Sequence, residues 1–436
     1  MPSPSQFRSS SSATGLEVRP FRALTYRRQD PEHLARVSSP AYDLVTPAGR
    51  ERLADADPYN IVRLILPRID PSAGSGRPSV QQSAALAAAT LREWQDAGVL
   101  ARDAESALWL YELQPPGEAA ATRGWLGAVA LPAPGSAAVL PHEDTYPMAV
   151  EGRRALLAAT NTDLEPIVLA HDPEPVVAAS TAAAGTGLPT LELTDSDGVR
   201  HRLWRVTDAA VLDRLVHAFH RTGAVIADGH HRFAAAQANS VTRPTRPGSD
   251  AVLALVTPMG PGGLRVAAIH RVVPDLALGD AVAAAGRGFR TADLPLDGQD
   301  VRAGVLQWLA GAHDGDFLLS DGHRLVRLTD PSPAVLATIP SEAPAAWRGL
   351  DVVLAHHGLI ARLWNRSDDP ESVLVAHTPD EALRTAVDRA GVAVFLRAPS
   401  PADVAAVARA GARMPRKSTL FVPKPRTGLV IRPLDD

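Results

Sequence analysis

Cysteine is absent from the 436 residues. That excludes a disulfide framework, a thiolate zinc site and a cysteine nucleophile, and it fits a reducing compartment. No apolar run approaches the ~18 residues that a membrane-spanning helix requires. A signal sequence is missing too: Met1 to Thr14 are serine-rich without an apolar core and read as a disordered lead-in, so a cytoplasmic location is expected. Nor is there a surplus of positive charge. Lys+Arg total 44 against 48 Asp+Glu, a formal charge of -4, whereas a protein that coats nucleic acid needs a basic surface to release counterions. Nucleic acid is therefore the less expected partner, and a small molecule the more expected one.

The most informative scarcity is lysine, which occurs only at Lys417 and Lys424, every other cationic position being arginine. Lysine presents a compact ammonium with three rotatable donors, and arginine's rigid fork does not replace it everywhere. The octet from Lys417 to Lys424 is thereby marked as a candidate site.

At roughly 150 residues per domain the length predicts two or three domains or one elaborated body. A hydrophobic share of 45% with 21% charged residues is globular. From Gly15 onward short apolar runs alternate with amphipathic stretches, which predicts an α/β fold of mixed α+β elements. The expected architecture is a multi-layer body with mixed sheets that ends in a C-terminal β-α-β-α unit. Three segments are expected: the lead-in 1–14, an N-terminal α/β domain 15–274, and a C-terminal α/β domain 275–436.

Strands are predicted at Ile61 to Leu66, Ala107 to Leu113, Gly124 to Leu131, Ala251 to Thr257 and Leu264 to Ile269. A helix over Val80 to Ala97 would place Leu86, Leu91 and Trp94 on one face, with Gly98 as its stop. Thr207 or Asp208 can cap a helix whose Val211, Leu215 and Phe219 recur every four residues. Near the C-terminus, Thr378-Pro379-Asp380-Glu381 combines a cap, proline at the first helical position and a glutamate three residues on. Strands at Val373 to Ala376 and Val392 to Leu396 flank that helix, and Ser400-Pro401-Ala402-Asp403 opens another.

The apolar run Ala224 to Ala227 ends in Asp228-Gly229-His230-His231-Arg232, and an Ala-rich helical segment follows. Strand, glycine turn and helix together aim backbone N–H groups and the positive end of a helix dipole at an anion. Paired imidazoles can exchange protons near neutral pH, and arginine can grip phosphate bidentately. The competing reading is a tight turn whose Asp228 caps the next helix and whose histidines are solvated. Asp321-Gly322-His323-Arg324 repeats most of the string between two strand patterns, where Asp-Gly signals a hairpin rather than chemistry.

Lys417-Ser418-Thr419 and Lys424 join point cations to hydroxyl donors suited to terminal phosphates, or else form a solvated basic turn. The segment is not a P-loop, because no glycine-rich run precedes the lysine. His142-Glu143-Asp144-Thr145 supplies a candidate base and anion partners, against the alternative of a polar loop. Tyr42 and Asp43 stand in a pre-strand turn, as do Pro58-Tyr59-Asn60, and turn chemistry alone could account for both. His270-Arg271 ends a strand and could join an anion site. His217 and His220 lack a third ligand, so zinc is not expected. Magnesium held by Asp228, Asp43 or Glu143 together with substrate phosphates is compatible with the few protein ligands that ion needs.

With these segments in place, the chain resembles the bacterial domain-of-unknown-function family 1015. The matching strings run from Val18-Arg19-Pro20-Phe21-Arg22 through Pro40-Ala41-Tyr42-Asp43, His142-Glu143-Asp144-Thr145, Ala227 to Arg232 and Met414 to Lys424 to Gly428-Leu429. The Asp-Gly-His-His-Arg loop is similar, at loop level, to the Gly-x-His-Arg loop of the ParB and sulfiredoxin superfamily, whose members bind nucleotide phosphates and include free-serine kinases. Family members also tend to be encoded beside serine-biosynthesis enzymes. The loop resemblance and the gene neighbourhood imply phosphotransfer or phosphoester chemistry on serine or a similar metabolite, and magnesium with ATP or pyrophosphate is the expected accessory.

The expected function is a phosphotransferase or phosphohydrolase of a small phosphorylated metabolite. Asp228, His230, His231 and Glu143 would be catalytic. Arg232, Lys417, Ser418, Thr419, Lys424, His142, Thr145, Tyr42, Asp43, His270 and Arg271 would bind phosphate or substrate. Two alternatives stay open: a non-enzymatic sensor of a phosphorylated metabolite, and a ParB-like DNA-binding protein.

Overall fold

The computed structural model describes residues 15–69, 79–118, 120–296, 298 and 300–435. The serine-rich lead-in, 1–14, lies outside the described residues. The chain forms two compact units, Met1–Leu264 joined by Pro423–Asp436, and Arg265–Val422. It is mixed α/β in character, as its alternating pattern predicts.

The first unit is organised by one mixed sheet, of nine strands among the described residues. They are β1 (Val18–Arg19), β2 (Leu108–Gln114), β3 (Thr122–Ala130), β4 (Val139–Leu140), β5 (Ile167–His171), β6 (Leu191–Thr194), β7 (Arg200–Val206), β8 (Ala224–Asp228) and β9 (Ala251–Pro258). Their order is β4-β8-β5-β9-β3-β2-β7-β6, and β1 also pairs with β3. β9 reads Ala-Val-Leu-Ala-Leu-Val-Thr-Pro and is buried over its first seven residues. A continuous apolar run of this kind belongs to a central strand covered on both faces.

Helices α1 (Val80–Asp96), α2 (Pro147–Thr160), α3 (Pro175–Ala184), α4 (Ala209–Phe219) and α5 (His230–Thr242) accompany the sheet. α1 packs on α2, α2 on α5, and α3 on α4. The core joins Trp125, Ile167, Leu169, Ile226 and Val256 of the sheet to Leu215 and Phe219 of α4 and Phe233 of α5. Leu215 and Phe219 are thus core residues as their spacing predicts, and Asp208 caps α4 by accepting from the Val211 amide.

Two expectations are corrected here. Ile61 to Leu66 is not a strand but carries a short helix, Val62–Ile65. Asn60 Oδ1 accepts the Val62 amide while its Nδ2 donates to the carbonyls of Arg36 and Ser38, and an apolar run this short fits a buried helix as well as a strand. In α1 the buried stripe is Ala84, Ala87, Ala88, Leu91 and Trp94, and Leu86 is 37% exposed. Leu86 lies about 200° round the helix from Ala84, off that buried stripe, and so is left outside.

The second unit has its own antiparallel sheet of β10 (His270–Val273), β11 (Arg290–Asp293), β12 (Phe317–Ser320), β13 (Leu325–Thr329), β14 (Leu374–Ala376) and β15 (Val392–Phe395), ordered β11-β13-β12-β15-β10-β14. Helices α6 (Pro379–Asp388) and α7 (Pro401–Arg409) alternate with β14 and β15, which is the β-α-β-α unit that the C-terminal pattern predicts. Thr378 caps α6 and Ser400 forms a capping box with Asp403 in α7. The Asp321-Gly322 hairpin joins β12 to β13, with Asp321 Oδ1 accepting the amides of His323 and Arg324. The strand expected from Leu264 to Ile269 is shorter. Only Arg265–Ala267 is paired, to Leu420–Val422, before β10 begins at His270.

No helix among the described residues is long and apolar enough to cross a membrane. Ile226, fully buried in the strand that leads into Asp228, tests how far the first core holds the site. Ile226→Ala should cost about 2–5 kcal/mol of stability, read as a lower urea midpoint for the first unit.

Candidate functional site: a glycine turn with paired charges

The site is built outward from Gly229. β8 pairs with β5 until a register shift between Ile226 and Asp228, a bulge that turns the end of the strand. Gly229 then adopts φ +92°, which favours glycine, and a Cβ there would lie 2.8 Å from Ile167 Cγ2. α5 starts immediately after it, with Gly229 as its cap and no side-chain cap hydrogen bond. Asp228 is therefore not the helix cap.

The Asp228 carboxylate serves two cations instead. Oδ1 lies 2.6 Å from Lys424 Nζ, and Oδ2 accepts from Arg232 Nη2 at 2.5 Å. Lys424 also donates to Asp43 Oδ2 at 2.6 Å, so one ammonium bridges two carboxylates from distant parts of the chain. Its position is fixed by its neighbours. Arg426 donates through Nε to Ser38 Oγ, the Arg426 amide donates to Tyr111 Oη, and Thr427 pairs with Ser39.

Burial opposes charge on both members of the Asp43–Lys424 pair, and pairing outweighs it in each. Lys424 Nζ, held by Asp228 and Asp43, titrates above its ordinary value. Asp43, facing Lys424 and Arg232, titrates below its ordinary 3.8.

Tyr42 forms the adjoining wall. Its ring carries the Arg153 guanidinium at 4.1 Å and that of Arg232 at 5.7 Å. Its amide donates to Glu165 Oε1, which also accepts from Thr427 Oγ1. Arg232 Nη1 donates to the Pro166 carbonyl at 2.5 Å. Burial raises the Tyr42 phenol's pKa. Glu165 was not legible as a site residue. The only trace was a run of two acids and a proline, Asp163-Leu164-Glu165-Pro166, just before a buried strand.

The two imidazoles hold a loop. His230 Nε2 accepts the His142 amide at 3.3 Å, and His231 Nε2 accepts the Tyr146 amide at 3.1 Å. The His142 and His230 rings meet edge to face at 4.6 Å, and Tyr146 stacks on His231 at 5.8 Å. An Nε2 that accepts leaves the proton of a neutral imidazole on Nδ1. His230 Nδ1 lies 3.8 Å from Glu143 Oε2, and His142 Nε2 lies 3.9 Å from Glu143 Oε1. The Glu143 side chain is 36% exposed, and Thr145 is exposed beside it.

Thus Tyr42, Asp43, His142, Glu143, Asp228, His230, His231, Arg232 and Lys424 come together in the first unit. Lys417, Ser418, Thr419, His270 and Arg271 belong to the second. There Lys417 is exposed at φ +51°, and Ser418 Oγ donates to the Pro415 carbonyl. Arg271 is fully buried and donates to His356 Nε2 and to the carbonyls of Arg416 and Lys417. His270 Nδ1 accepts the Leu396 amide, and burial lowers the ring's pKa to about 4. These contacts make Arg271 a strut for the loop that displays Lys417.

The oxygens of Asp43 and Asp228 converge on the Lys424 ammonium, and among the described residues no group of three acidic or histidine donors could hold a metal ion.

The fold and site together define a mixed α/β protein organised around a charged strand–glycine–helix turn. The chain belongs to the DUF1015 family, proteins of unknown function, whose family model matches residues 18–353. Comparison with curated proteins gave no match. Among solved structures, a C-terminally truncated SbnI from Staphylococcus aureus is similar over 70% of this chain and 85% of its own, with 12% identity and a TM-score of 0.35. A free serine kinase in complex with AMP covers 65% and 84% at 13% identity and TM-score 0.30. A conserved hypothetical protein from Pyrococcus furiosus covers 65% and 87%, also at 13% and 0.30. Overlays this loose give no residue-by-residue correspondence.

Two outcomes test the geometry. Replacing His231 by Ala should speed amide exchange at Tyr146, and His230→Ala at His142, while the core amides of β9 stay protected. Asp43→Asn should lower stability at neutral pH. Because the folded pKa of Asp43 is depressed, its contribution is complete above 3.8 and fades as pH falls through the folded value, so the urea midpoints of variant and parent should converge in acid.

Proposed function

We propose that the chain is a small-molecule phosphotransferase or phosphohydrolase acting at the Asp228–Arg232 turn, with serine and phosphoserine as the first substrates to test. The observation that carries this reading is the glycine-led, side-chain-uncapped start of α5 beside an ion-fixed carboxylate and a partly exposed one. First-turn N–H groups and the helix dipole suit phosphate oxygens. Phosphoryl transfer asks for this kind of positioning and charge neutralisation more than for covalent help.

Asp228 has both oxygens committed to cations, so it orients rather than accepts a proton. Glu143 is the better base. It would take the proton of the attacking hydroxyl as the new O–P bond forms and the bond to the leaving oxygen of ATP or pyrophosphate breaks. In hydrolysis of phosphoserine a water attacks instead, giving its proton to Glu143 as the P–O bond to the serine oxygen breaks, and that oxygen takes up a proton to leave serine and inorganic phosphate. His230 and His231 would donate through Nδ1 to the transferring group. Lys424 holds Asp43 and Asp228 in place, and would reach a phosphate only by giving up one of them. Lys417, Ser418 and Thr419, which belong to the second unit, are given no role in this step.

Phosphorus NMR of the full chain with serine plus ATP or pyrophosphate, and separately with phosphoserine, should show transfer or release. Glu143→Gln should cut the rate at least about 100-fold while nucleotide titration heats persist. Ligand binding with no turnover under any pairing would instead identify a sensor, and full activity in the Gln variant would remove Glu143 from the mechanism.

A further inference from the structure

Two adjacent arginines sit midway along α2 and are held differently. Arg154 grips Glu151 bidentately on the helix surface, with Nε donating to Oε2 at 2.7 Å and Nη2 to Oε1 at 2.8 Å. The Arg153 side chain is only 19% exposed. Its Nη1 donates to the Ile65 carbonyl at 3.0 Å, and its guanidinium lies 4.1 Å from the centre of the Tyr42 ring. Glu165 Oε2 stays 3.9 Å from Arg153, beyond hydrogen-bond reach, and Oε1 of that acid is taken by the Tyr42 amide and Thr427 Oγ1.

Arg153 Nε and Nη2 make no hydrogen bond to the described residues, and neither is sealed from solvent as Arg232 Nε is. The edge with which Arg154 holds Glu151 is therefore the edge that Arg153 leaves open. Lys424 and Arg232 are matched by Asp43 and Asp228, whereas Arg153 has no carboxylate hydrogen-bonded to it. Space adjoins it on two sides. With Thr162, Glu165 and Arg232 it lines a cavity of about 40 Å³, room for about three water-sized groups. With Ser83, Met148 and Leu156 it lines a larger cleft of about 900 Å³. Arg232 lies 5.7 Å from the same Tyr42 ring, so Arg153 and the Asp228–Arg232 turn share one wall.

We propose that Arg153 anchors a carboxylate of the substrate, so that the site takes a small phosphorylated hydroxy acid, its phosphate at the start of α5 and its carboxylate on the open guanidinium edge. The phosphate end of this assignment rests on the phosphoryl-transfer reading. A carboxylate matches the two N–H groups of that edge oxygen for oxygen. The Tyr42 ring and the Ile65 carbonyl hold the guanidinium in place before the ligand arrives. A phosphorylated alcohol or amine without an acid group would leave the edge unmatched.

The probes are the phosphonate isosteres of phosphoserine and phosphoethanolamine, which differ by the carboxylate and whose P–C bond is not turned over. In isothermal titration of the full chain, the phosphoserine isostere should bind about ten-fold or more tighter. Arg153→Met should erase that preference, and Arg154→Met should leave it intact. Arg153→Lys keeps the charge without the fork and should narrow the preference, which carries the test if the methionine variant does not fold. The anchor is overturned by equal affinities in the unmutated chain, by a preference that survives substitution of Arg153, or by no binding of either probe at millimolar concentration. An equal loss of both probes on substituting Arg153 would put it on the phosphate and overturn the anchor too. Binding is read here without turnover, so a clear preference in a chain that turns over no substrate in phosphorus NMR would count against the enzyme reading alone.

Discussion

One ammonium group held between two carboxylates organises the candidate site. Lys424 comes from the returning C-terminal segment, Asp43 from a turn near the start of the chain, and Asp228 from the end of a central strand. A half-buried carboxylate pair this close would repel, and a buried lone cation would be driven to lose its proton. Together they are stable only as a set, so three remote segments must be in register before any of them is. Arg232 closes the set on the second oxygen of Asp228 and is steadied by the Pro166 carbonyl and the Tyr42 ring.

This arrangement also suits a lysine there. An ammonium can direct hydrogen bonds to two carboxylates that approach from different sides, whereas a planar guanidinium prefers one bidentate partner. Of the two lysines, Lys424 bridges two acids. Lys417 is held differently, on a positive-φ turn of the second unit whose carbonyl is gripped by Arg271.

The histidines show a similar shift of meaning. On composition alone, paired imidazoles on a glycine turn read as phosphate donors. In the fold each Nε2 accepts a backbone amide, and the loop from His142 to Tyr146 is stapled to α5 by them. The same two bonds set the tautomer, leaving Nδ1 as the donor of the neutral ring, and bring Glu143 to the side of His230. Holding the loop and fixing the tautomer are here one piece of geometry.

Much of the secondary structure was written locally. Caps at Asp208, Thr378 and Ser400, the Asp321-Gly322 hairpin and the continuous apolar run of β9 depend on neighbours a few residues away, and sequence spacing suffices to read them. Ile61 to Leu66 escaped because a short apolar run fits either helix or strand, and the Asn60 bonds that decide it reach across to Arg36 and Ser38. Sequence by itself determined the mixed α/β class, the family strings and the glycine turn, since each is a matter of residue type and spacing. Only the tertiary structure decided that Asp228 faces Lys424 instead of capping α5 and that Glu165 anchors Tyr42, because ion pairs and burial join residues that spacing along a chain does not relate.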